Sequence, residues 1–144
     1  MNTHALLAPV AVLVLWSLIV LVWMVTTRFK AFAGAGITLS NAPVGSRYSD
    51  VEPDMPTKVN WVSHNYTHLM EQPTIFYATV AVLALAGDAS DINVVLAWTY
   101  VGLRVVHSLW QVLSNVIMVR VALFTLSTFC LLGLAVNAVR VTLF

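Results

Sequence analysis

Apolar residues run almost unbroken from Ala5 to Val25, and the stretch "ALLAPVAVLVLWSLIVLVWMV" contains no charged side chain. About 20 such residues in a helix cross ~30 Å of hydrocarbon, so a first span is predicted over residues 5–27. Pro9 falls in its opening turns, where a missing amide does least harm, and Arg28 and Lys30 close the span. Residues 28–58 then read as a polar connection rich in glycine, proline and mixed charge, the composition of a surface loop. After Pro53 and Pro56 a second helix is predicted over 60–86. Its first half, "SHNYTHLMEQP", is polar, and its second, "TIFYATVAVLALAG", is apolar. A short turn, "GDASDIN", leads to a third span over 93–113. A break near Ser114 and Asn115 leads to a fourth over 116–139, closed by Arg140. The pattern predicts one domain over 1–144: an all-α membrane protein built as a four-transmembrane-helix bundle.

Composition agrees. Hydrophobic residues make up 60% of the chain and charged residues 9%, where a soluble domain carries about a quarter charged. A net charge of +1 gives no field that would attract nucleic acid, and none is expected as a partner. Cys130 is the single cysteine, which excludes an intrachain disulfide and any multi-cysteine metal site; its apolar neighbours predict an inert thiol. "AFA" at 31–33 looks like a secretory cleavage site. However, the preceding apolar run is too long, lacks a basic leader and is followed by the basic residues, so a retained helix is expected. Arg28, Lys30, Arg47 and Lys58 flank or fill the first loop, and the second has no Lys or Arg. The positive-inside rule then places the first loop in the cytoplasm and both termini on the far side, with Arg140 weakly opposed.

The polar residues inside the spans are ordered. At 3.6 residues per turn, His64, His68 and Glu71 share one face of the second helix, flanked by Trp61 and Asn65. Tyr100, Arg104, His107 and Gln111 align on the third, with Ser108 beside them, and Arg120 lies at similar depth on the fourth. A charge at the centre of a span costs about 2.5–3.5 kcal/mol on insertion scales, so such residues turn inward and pair. One polar cluster near the cytoplasmic face is expected, with Glu71 paired to Arg104 or Arg120. Pro73 leaves the carbonyl of Leu69 without its helical donor and bends the chain beside His68 and Glu71.

Three chemistries suit these residues. His64 and His68, four apart, could share a zinc ion with Glu71 or His107; "HNYTH" lacks the glutamate of a zinc-protease helix, and no metal is expected. The cluster could instead be an ion-paired lock that fixes helix register. In the third case it holds a small zwitterionic anion beside a lipid-soluble co-substrate. Arginines would then take carboxylates or a thiolate, Glu71 an ammonium group, and His and Asn a peptide-like backbone.

The segments "NYTHLMEQPTIFYATVAVLALAG" and "AWTYVGLRVVHSLWQ", with the later Arg120, resemble the MAPEG family, the membrane-associated proteins in eicosanoid and glutathione metabolism. The likeness covers about residues 57–140 and is strongest for bacterial members. It implies a homotrimer in the lipid bilayer, here the bacterial inner membrane, with glutathione bound between subunits near the cytoplasmic face. Family enzymes transfer glutathione to lipophilic electrophiles, reduce lipid peroxides or isomerise an eicosanoid, and an arginine stabilises the thiolate. By this resemblance Glu71 and Arg104 match the family's glutamate and helix-three arginine, and Arg120 lies close to the catalytic arginine. His64 and His68 occupy the places of an arginine and an asparagine, Asn65 is the nearest asparagine, and His107 and Gln111 replace two tyrosines. The implied site is therefore His64, Asn65, His68, Glu71, Arg104, His107 and Gln111 for glutathione, with Arg120 as catalytic residue. A non-enzymatic protein that keeps the fold as a scaffold, or binds another amphiphile, is the alternative.

Overall fold

A computed structural model describes residues 3–38, 40–41 and 43–144 of the chain. Among these the regular structure is helical: α1 (Thr3–Gly34), the short α2 (Tyr48–Val51), a 3-10 turn (Glu52–Asp54), α3 (Thr57–Leu85), α4 (Asp91–Leu113) and α5 (Ile117–Leu143). The four long helices overlap the four predicted helical segments, with one difference of substance. α1 does not stop at Arg28 and Lys30. Charge ends a membrane crossing, but Arg and Lys are good helix formers, so the coil continues until a glycine can turn it. Gly36 takes a positive φ of 69°, and the amide of Ile37 bonds back to the Phe32 carbonyl at 2.9 Å. This is the glycine-terminated helix end in which a left-handed residue lets late amides satisfy orphan carbonyls.

Burial follows narrow seams. Leu6, Pro9, Leu13, Ser17, Val20 and Met24 are the buried residues of α1, spaced by three or four. Leu69, Pro73, Phe76, Val80 and Leu83 continue the same spacing on α3, and Ser127, Leu131, Leu134 and Ala138 on α5. A 3–4 spacing presents one stripe to neighbouring helices along their whole length. α1 packs on α3 and α4, α3 also on α5, and α4 most extensively on α5. Gly133 lets α5 approach closely: a Cβ there would stand 3.2 Å from Leu96 Cδ1. Phe76 and Tyr100 stack between α3 and α4 with centroids 4.4 Å apart.

Away from these seams the surface is apolar, with Leu15, Val22, Phe129, Leu132 and Val136 each more than half exposed. Such continuous apolar cover is stable in lipid and not in water. By length and composition α1, α4 and α5 are candidate spans; α3 is not among them. Four spans were expected, and the difference lies in the His64–Gln72 half of α3, whose polar residues dilute the apolar half that follows. The fold is that of an integral membrane protein.

Candidate functional site

Pro73 and the polar half of α3 set the geometry. The fully buried Arg104 reaches from α4 to the backbone of α3 and donates from Nη2 to the His68 carbonyl at 2.9 Å. That carbonyl immediately precedes the Leu69 carbonyl, which Pro73 leaves without its helical donor. Arg104 Nη1 lies 3.4 Å from His68 Nε2, and the guanidinium stands 5.9 Å from the centre of the Phe124 ring on α5. The His68 ring lies between two others, 5.0 Å from His107 and 5.3 Å from Phe124 by centroid.

Glu71 was expected to pair with Arg104 or Arg120. It faces His68 instead, Oε2 to Nδ1 at 3.0 Å, and its side chain is 63% exposed. Among the described residues Arg104 has no carboxylate at ion-pair distance. Its burial is offset by the charge-assisted bond to the carbonyl and the adjacent aromatic face. Arg120 donates from Nη1 to Asn115 Oδ1 at 2.8 Å. Both arginines are near enough to act electrostatically on His68 and His107. Arg104, His68 and His107 thus meet between α3 and α4, and the Glu71 carboxylate beside them faces outward.

The other predicted site residues divide. Asn65, buried on the other flank of α3, donates from Nδ2 to Ser108 Oγ at 2.7 Å. That hydroxyl also accepts from Trp16 Nε1 at 3.1 Å. One serine thereby ties α1, α3 and α4 together. His64 lies outside the cluster, half exposed and paired with Glu52. Gln111 is buried beyond His107, toward the end of α4. Asn65 Oδ1, Arg104 Nε, Gln111 Oε1 and Arg120 Nε are buried without a hydrogen-bond partner. They are four of the seven such side-chain atoms among the described residues.

Some polar partners escaped sequence reasoning. Gln72 donates to Thr128 Oγ1 at 2.8 Å and accepts from the Tyr100 hydroxyl at 3.3 Å, crossing three helices. Asn137 donates to Asn93 Oδ1 at 2.7 Å near the opposite end of α4. An isolated amide in an apolar run is the available signal for Asn137, although it does not identify the partner; Gln72 lies in the polar half of α3, where nothing sets it apart. Phe124 gave no signal, since one aromatic in an apolar helix looks like any other. His, Cys, Asp and Glu side chains form no group of three with metal-binding geometry among the described residues.

A helical integral membrane protein with a cationic polar cluster buried between its helices is the class these features define. The chain belongs to the MAPEG family, whose sequence profile matches residues 6–140. Neither the curated proteins nor the solved structures contain a significant match.

Proposed function

We propose that the protein is a four-span MAPEG-type bundle that assembles as a homotrimer and binds glutathione, or a related small thiol, at its subunit interfaces. It would act as a transferase or peroxidase toward lipophilic substrates. The single observation that carries this reading is the polar capacity left near His68: two arginines, no buried carboxylate among the described residues, and Nε atoms on Arg104 and Arg120 without a hydrogen-bond partner. Native interiors leave few buried polar atoms unpaired, and each calls for an explanation; an anionic ligand that accepts from both guanidiniums would supply one. Glu71 has its carboxylate outside and suits an ammonium group. Arg120 is the candidate for holding a thiolate, because one guanidinium nitrogen is still unpartnered. Positive charge in the first loop supports a cytoplasmic position for that loop and far-side termini, and the likeness to bacterial family members suggests the inner membrane.

A second reading has its own support. Arg104 is completely covered and spent on a backbone carbonyl of its own chain, which is how a structural lock behaves. In that case the protein is a non-enzymatic scaffold.

Thermal unfolding of the detergent-solubilised protein with millimolar glutathione separates the two. Ligand present at 100 times its Kd stabilises by about 2.7 kcal/mol, and Glu71→Ala should abolish the shift. Glu71 is a better probe than Arg104 because its exposed side chain can be removed without opening the core. A scaffold gives no shift with any thiol.

A further inference from the structure

A cavity lies away from the Arg104 cluster, between the last turns of α1 and the loop that follows. At 1.5 Å per residue the 32-residue α1 is about 48 Å long, against ~30 Å of hydrocarbon. Its charge-free stretch ends at Thr27, so the turns from Arg28 to Gly34 emerge at the membrane–water boundary. The cavity they help to form encloses about 920 Å³, at the upper end of the ~300–1,000 Å³ usual for small-molecule sites. Phe29, Phe32 and Ile37 give it apolar walls, and Arg28, Arg47 and Tyr48 also line it.

The two arginines are arranged differently. Arg28 is fixed: Nε donates to Ser63 Oγ at 2.8 Å, and the guanidinium lies 3.6 Å from the centre of the Tyr48 ring. Tyr48 is held in turn by its hydroxyl, which donates to Asn60 Oδ1 at 2.6 Å. Arg47 is exposed, and the nearby Asp50 carboxylate accepts its backbone amide at 2.8 Å. Neither guanidinium is in an ion pair among the described residues, whose ion pairs both belong to histidines. One preset and one exposed cation beside an apolar chamber at the membrane boundary complement a particular ligand shape.

We propose that this cavity binds an acyl chain with an anionic head group, the chain lying against Phe29, Phe32 and Ile37 and the head held by Arg28 and Arg47. Guanidinium favours carboxylate and phosphate oxygens through paired hydrogen bonds. Such a molecule can come from free fatty acid or from an anionic membrane lipid. The inference does not depend on thiol binding, because it uses α1 and the loop and none of the residues around His68.

The test uses the full chain in nanodiscs of zwitterionic phosphatidylcholine, with the fluorescent fatty acid cis-parinaric acid as probe. Saturable binding is expected, displaced by palmitate and at least tenfold less well by the uncharged hexadecanol. Arg47→Gln should weaken binding by about tenfold at an unchanged melting temperature. Ile37→Trp, which fills the chamber, should do the same by steric exclusion. Displacement by phosphatidylglycerol built into the discs, with palmitate ineffective, would identify membrane lipid as the source and still support the site. Non-saturable partitioning, equal displacement by alcohol and acid, or full affinity in both variants would overturn it.

Discussion

Arg104 on α4 donates to the backbone carbonyl of His68 on α3 at 2.9 Å, one residue before the carbonyl freed by Pro73. A buried charge is thus held by the backbone of a proline-containing helix rather than by a carboxylate. Because Arg104 fills space as well as donating, its replacements should differ. Arg104→Ala opens a cavity and removes the bond to the His68 carbonyl, and should cost ~3 kcal/mol in unfolding from mixed micelles. Arg104→Met keeps most of the volume and removes a buried charge, so about 1 kcal/mol is expected. Equal losses in the two variants would contradict this division.

Ser108 offers a cleaner measure of a polar contact between spans. Asn65 Nδ2 and Ser108 Oγ are 2.7 Å apart with Asn65 fully buried. A double-mutant cycle with Asn65→Ala and Ser108→Ala should give a coupling of about 0.6 kcal/mol, and no more than ~1.7, the range found for such bonds within membranes. Zero coupling would mean that the bond is absent in the folded protein in lipid.

The loop is tied to α3 by a set of exposed contacts: Glu52 with His64, and Asn60 Nδ2 donating to the Glu52 carbonyl at 3.0 Å. Exposed ion pairs contribute about 0–1 kcal/mol, too little to move global unfolding but enough to shift a local opening. Glu52→Gln should speed trypsin cleavage after Arg47 by about two- to fivefold, with the thermal midpoint unchanged. An unaltered cleavage rate would show that the pair does not hold the loop.

Much of this arrangement was legible in the sequence, for reasons that differ by residue. Long apolar runs bounded by Arg28, Gly87 and Asn115 located the long helices, because helical membrane spans require that length. The stripes His68–Glu71 and Arg104–His107 predicted facing surfaces, and His68 does meet both Arg104 and His107. Pairing was not legible. Periodicity fixes which face a residue occupies but not the rotation and depth of the opposing helix, so Glu71 was assigned to an arginine when His68 stands nearer. Asn65 and His64, adjacent in sequence, diverge by 100° around the helix and go to Ser108 and Glu52 respectively. The loop's fold onto α3 depends on Tyr48 and Glu52 meeting residues eight or more positions away, which local composition does not encode.

Gly133 tests the closeness of α4 and α5. Its notional Cβ would meet only the end of the Leu96 side chain, at 3.2 Å, and that end can move. Gly133→Ala should therefore change stability by less than ~1 kcal/mol, whereas Gly133→Ile should cost about 1–3 kcal/mol by overpacking. If both are neutral to micellar unfolding, the helices are not in close contact at this level.

The proposal of a thiol-binding trimer rests most directly on stoichiometry. Native mass spectrometry of the full chain released from detergent, with glutathione present, reads assembly and occupancy in one spectrum. A trimer carrying up to three glutathiones, with the adducts lost in Glu71→Ala and retained in Gly133→Ala, is the predicted result. A trimer or monomer that carries no glutathione at millimolar ligand would contradict it and leave the cluster as a structural lock.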